Sequence, residues 1–239
     1  MQTYARATLA AVVLALFGLA QSGLDAQTKR LMFEVRQVKA VDECGNGRPE
    51  EIFGSDEISF GGVSIDPAGN VHKLRTMNAG SFKRDGSQRT FNPAKQLVIF
   101  NVRGNKYPQT YQALLVLVER DPGGGFGKYL DRLVKEAREL TDSSADPNVP
   151  MLLPARYTPG AALQIPEILS TIAAEKIGKA VLGAAKKEIN QRWADDIFDP
   201  VLQTVTLRDA QFEPPKTMTT LAYKKHNCSY RVIGRWHLD

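Results

Sequence analysis

Cysteine and histidine are scarce in this chain: two and three residues, respectively, among 239. His72, His226 and His237 lack the spacing of metal ligands and no H-E-x-x-H occurs, so zinc-hydrolase chemistry has no footing. The G-x-S-x-G elbow of serine hydrolases is also missing. Asp and Glu are common, yet nothing marks one pair as glycosidase acid and base. No apolar run is long enough to span a membrane as a helix; Ala7 to Ala20 gives 14 residues where about 20 are needed. Charge of one sign is not in large excess. Lys and Arg number 31 against 26 Asp and Glu, a net +5, and the basic residues are scattered rather than striped. That falls short of a nucleic-acid footprint, so no nucleic-acid partner is expected.

What the chain does have begins with that short apolar run. Arg6 supplies a positive n-region, and Gly18 with Ala20 fits cleavage after Ala20, with Ala26 as a second candidate. Residues 1–26 therefore read as a signal peptide, and the mature chain as exported, periplasmic or extracellular. Two cysteines in an exported protein most often pair. Cys44 follows a strand-like run ending near Val41, and Cys228 precedes one beginning near Tyr230. If those strands are antiparallel neighbours, the end of the first meets the start of the last, and a Cys44–Cys228 disulfide closes without strain.

Alternation marks the strands. Phe33 and Val35 oppose Glu34 and Arg36; Ile58 and Phe60 alternate with Glu57 and Ser59 before Gly61-Gly62. Asp66-Pro67-Ala68-Gly69-Asn70 and Arg84-Asp85-Gly86-Ser87 carry turn chemistry, with one short strand expected between them around Val71 to Met77. Gln96 to Val102 and Gln112 to Val118 are apolar on both faces and read as central, doubly covered strands. Val201 to Leu207, Thr217 to Tyr223 and Tyr230 to Leu238 follow, the last with Tyr230, Val232, Trp236 and Leu238 on one face. About eight short strands read as an antiparallel β-sandwich, mainly β in an α+β frame.

Helical periodicity interrupts that frame at about 127–196. Leu130, Leu133, Val134, Ala137 and Leu140 form one stripe between Gly127 and Thr141. From Pro166 to about Asp195, Ile168, Leu169, Ile172, Ile177, Val181, Ile189 and Trp193 recur at helical spacing. Gly178 and Gly183 inside that run point to a break, a kink or close packing. The helices lie between the central and C-terminal strands, which makes them one insertion in a single domain over residues 27–239.

Two segments invite a chemical reading. Asp121-Pro122-Gly123-Gly124-Gly125-Phe126-Gly127-Lys128-Tyr129 has the strand-to-helix setting of a phosphate loop. Pro122 stands at the first glycine and Tyr129 where Ser or Thr holds magnesium, so it reads as a turn. The other segment is acidic: Asp42, Glu43, Glu50, Glu51, Asp56 and Glu57 lie within 16 residues of one another. Calcium takes six to eight oxygens from carboxylates and carbonyls. Asp42, Glu43, Asp56 and Glu57 are the calcium candidates, and calcium the one cofactor considered. Cys44 at position three and Phe53 at position twelve exclude an EF-hand.

The segment Gly54-Ser55-Asp56-Glu57-Ile58-Ser59-Phe60 resembles the G-x-D-E-[PI]-Y pattern of a loose group of bacterial proteins of unknown activity. There the pattern enters a C2-like β-sandwich. Asp195-Asp196-Ile197-Phe198-Asp199-Pro200, leading into a Thr/Val strand, is similar to a second feature of that group. The resemblance implies a C2-like sandwich and no function.

The expected function is a non-enzymatic binding module for a protein, a glycan or an envelope component, with calcium ordering its acidic loop. The alternative is a membrane-active or toxin-associated effector that engages lipid through residues 166–190, where Ile177 to Lys187 is small, apolar and cationic. A hydrolase is the third reading.

Overall fold

The computed structural model describes residues 29–42, 56–102, 107–120, 124–144, 165–189, 196–225 and 228–239. In chain order these form β1 (Lys29–Asp42), β2 (Asp56–Ile65), β3 (Val71–Lys73), β4 (Met77–Phe82), β5 (Gln88–Val102) and β6 (Gln109–Glu119). Two helices follow, α1 (Phe126–Ser144) and α2 (Ile165–Ile189). The chain then returns to β7 (Asp196–Ile197), β8 (Val201–Leu207), β9 (Thr219–Lys225) and β10 (Cys228–Leu238). Residues 1–26, the expected signal peptide, lie outside the described residues.

Two antiparallel sheets face each other. The first runs β5-β1-β10-β9, and the second β3-β2-β6-β7, with β4 also on β2 and β8 also on β6. Alternation dictates the core between them. Leu31, Phe33 and Val35 of β1 and Tyr230, Val232 and Trp236 of β10 point inward, and meet Ile58 and Phe60 of β2 and Leu115 and Leu117 of β6. The terminal strands are antiparallel neighbours, in register from Leu31 opposite Leu238 to Asp42 opposite Ser229.

The inward phase of β1 survives an extra residue. Val35 pairs Gly234 and Gln37 pairs Ile233, so Arg36 has no opposite number. This bulge carries the apolar set from 31, 33 and 35 to 38 and 40. Without it Val38 and Ala40 would turn to solvent, since a one-residue slip reverses every side chain.

A third layer is helical. The outward face of β2 and β6 presents Val63, Ile65, Leu114, Val116 and Val118, and α1 covers it with Leu130, Leu133, Val134 and Ala137. From α2, Val181 and Ala185 join the same cluster. Strand β6 is thus sealed on both faces, as its doubly apolar sequence demands. Both helices fall between β6 and β7, where the insertion is expected.

Three local expectations are corrected. Gly61-Gly62 does not end the second strand, which continues to Ile65. A Cβ on Gly61 would lie 2.8 Å from Leu130 of α1, and one on Gly62, at φ 147°, would lie 2.0 Å from the Leu114 carbonyl oxygen. The glycines are there so that helix and neighbouring strand can approach. Opposite them the expected single strand from Val71 to Met77 divides into β3 and β4, on either side of the irregular stretch. Finally, Gln96 to Val102 is not central. It belongs to β5 at the edge of the first sheet, with Ile99 50% exposed. An apolar residue on an uncovered edge looks the same in sequence as one under a second layer.

Candidate functional site

Those expected site residues that are described gather at one end of the sandwich, where β1 and β9 finish and β2 and β10 begin. Asp42 closes β1 on the solvent side, and its Oδ2 accepts a hydrogen bond from the Ser229 hydroxyl at 2.7 Å. Asp56 opens β2 and is buried. Its Oδ2 accepts the hydroxyl of Tyr230, a fully buried side chain that crosses from β10 to the opposite sheet. The Tyr230 ring packs edge-on against Phe82 and Phe198, each at 5.5 Å between centroids. Beside it Lys225 of β9 reaches Asp196 of β7 at 2.6 Å, a second polar tie between the sheets.

A cavity of about 330 Å³ opens at this end. It is lined by Val41 and Asp42, by residues 222–224 of β9 and by residues 228–231 of β10. The Tyr223 hydroxyl is held far into its neutral form by complete burial. A phenol so placed is a packing group and cannot serve as a base.

The calcium candidates separate on inspection. Asp42 and Asp56 share an end of the sandwich but not a side, one exposed and the other in the core. Glu57 alternates away from Asp56 and is exposed. Glu43 lies outside the described residues, as do Cys44, Glu50 and Glu51. Among the described residues no three His, Cys, Asp or Glu side chains converge as a metal site. Cys228 is disulfide-bonded; its expected partner, Cys44, lies outside the described residues.

The phosphate-loop-like segment, described from Gly124 onward, behaves as a turn. Tyr129 is buried, and its hydroxyl donates to the Ala185 carbonyl of α2 at 3.4 Å. It ties one helix to the other instead of facing a ligand. Of the histidines, His72 is exposed on β3 and His237 half-buried on β10, while His226 lies outside the described residues.

Sequence reasoning places Tyr230 only as an apolar-face residue of the last strand and does not reach Lys225. The available signal for Tyr230 was a polar-tipped aromatic on an inward strand position, which requires a hydrogen-bond partner when buried. That the partner would be Asp56, 174 residues away, was not readable.

The outer face of the first sheet is a different environment from the helix-covered one. Among the described residues no helix packs on it; α1 and α2 contact β2, β3, β6 and β8. Its polar residues are mostly basic, with Glu34 between Arg36 at 3.6 Å and Arg235 at 3.7 Å, and Met32 and Ile99, opposite one another on β1 and β5, stand among them. No family profile, curated protein or solved structure matches the chain.

Proposed function

We propose that this chain is an exported, non-enzymatic β-sandwich module that binds a protein, a glycan or an envelope component, with its two ends joined by a Cys44–Cys228 bridge. The observation that carries the reading is the unequal treatment of the two outer sheet faces. One is closed by helices through a continuous apolar cluster. The other carries exposed Lys39, Arg231 and Lys224 beside the half-buried Glu34, Gln37 and Arg235. A sheet face on which no described helix packs, on a chain whose buried Asp56 is spent on an internal hydrogen bond, suits recognition better than chemistry. The bridge is supported by the register that places Asp42 opposite Ser229, next to the disulfide-bonded Cys228.

Peptide mapping of non-reduced protein from the exported fraction tests this reading. A mature N-terminus after Ala20 or Ala26 and a cross-linked Cys44–Cys228 peptide are expected. Cytosolic protein with both thiols open to alkylation overturns it. Calcium belongs to the same proposal, with ligands drawn from Asp42, Glu43, Asp56 and Glu57. Asp42 and Asp56 face different sides, so the described members of that set do not by themselves make an ion's shell. Calorimetry of the metal-free mature protein that shows no heat with calcium removes that part alone.

A further inference from the structure

We propose that the outer face of the β5-β1-β10-β9 sheet is a docking surface for a uronate-bearing polysaccharide, an inference that rests on the binding-module reading. Lys39 of β1 stands directly opposite Arg231 of β10. Lys224 of β9 is opposite Ser229, and so diagonal to Arg231. All three are exposed, and their chain neighbours Val38, Ala40, Tyr223, Tyr230 and Val232 are buried, which turns the cations outward. None has an ion-pair partner among the described residues. Like charges directly opposite one another destabilise a sheet pair. Elsewhere on the same face that problem is solved internally, by Glu34 between two arginines. Here the neighbouring carboxylate, Asp42 at the end of β1, accepts from Ser229 and forms no ion pair with the three, so a ligand carboxylate relieves the repulsion.

The surroundings fit a sugar chain. Gln37, one row from Lys39, donates to Gln88 Oε1 at 3.3 Å and Thr90 Oγ1 at 3.4 Å, a row of amides and a hydroxyl beside the cations. Strands are ~4.8 Å apart, so Lys39, Arg231 and Lys224 span ~10 Å across the sheet, a reach for a polymer lying over the strands. Single-stranded nucleic acid needs exposed aromatics for stacking, and the exposed large hydrophobics among the described residues are Ile99 and Met218. Of these, Ile99 lies on this face opposite the buried Met32, one exposed aliphatic and too little to anchor the sheet on a lipid surface. Phosphate sites favour helix N-termini, and both described helices lie on the other sheet.

The test uses mature protein already shown by mapping to be processed and bridged, titrated with polygalacturonate at low ionic strength. Binding is expected, weakening as salt rises. K39Q/R231Q should bind about tenfold less tightly, since each neutralised cation removes counterion release from the polyanion. K128Q/K179Q, on exposed positions of α1 and α2, should bind as the parent does. The melting temperature of K39Q/R231Q should be unchanged or higher, because a like-charge pair is removed, so misfolding cannot account for the loss. The inference is overturned by an absence of polygalacturonate binding, by equal losses in both variants, or by tighter binding to duplex DNA or to phosphatidylglycerol vesicles. On bridged, processed material any of these sinks the polysaccharide and leaves the export reading standing.

Discussion

Tyr230 shows how much of this fold depends on a single polar atom. Its ring contributes to the core through Phe82 and Phe198, and its hydroxyl gives the buried Asp56 carboxylate a donor from the opposite sheet. Replacing Tyr230 by Phe keeps the ring and removes the donor. Leaving a buried acceptor short of its partner costs about 1–3 kcal/mol, more when the acceptor is charged. Urea unfolding of Tyr230→Phe should show that loss with an unchanged slope, since the buried surface is the same. A midpoint equal to the parent's would mean that Asp56 does not depend on this hydroxyl. The Lys225–Asp196 pair is shorter-chained in its consequences: it is partly exposed, and pairs of that kind contribute ~0–1 kcal/mol.

Element by element, the decisive contact is α2 on β6. The helix runs unbroken through both of its internal glycines, and they serve different ends. A Cβ on Gly178 would sit 2.6 Å from Gln112 Nε2, so the glycine lets the helix lie close to the strand. Gly183 is exposed with nothing within 4 Å of its Cβ position, where glycine only loosens the helix. Gly183→Ala should therefore stabilise by about 0.5–1 kcal/mol. Gly178→Ala should fall short of that gain by about 1 kcal/mol or more, because the end of the buried Gln112 side chain must turn aside for the new methyl group. Thermal melting of both variants checks the pair; equal gains would mean that α2 does not press on Gln112 of β6. Burial of Val181 and Ala185 against the sheet also bears on the lipid alternative, since releasing the helix would expose that apolar face. No described helix is long and apolar enough to cross a membrane.

For the whole molecule, the neighbouring strands β1 and β10 set the scale of the proposed disulfide's effect. A Cys44–Cys228 bridge closes a loop of about 185 residues, for which the chain-entropy model gives at most ~5 kcal/mol. Engineered and natural bridges commonly deliver ~2–4 kcal/mol. Denaturant unfolding of the mature protein with and without reductant should differ by that amount, with the native sheet signal retained in the reduced form. Sheet pairing between β1 and β10 stands without the sulfur, which is why reduction is expected to weaken the fold and not abolish it. Identical midpoints would remove the bridge from the stability of the protein.

The periodicity in the sequence determined the antiparallel strands, the amphipathic face of α1, the two turns and the doubly covered β6, because each is written in side chains two, three or four residues apart. The position of the helices between central and C-terminal strands was legible for the same reason. Tertiary structure alone decided that Gly61-Gly62 is a contact and not a stop, that Ile99 lies on an open edge, and that Arg36 bulges to hold Val38 inward. It also decided that Asp42 and Asp56 point to different sides, and that Lys39 meets Arg231. These are facts about which residue stands opposite which across long stretches of chain, and pairing at that distance leaves no local period to read.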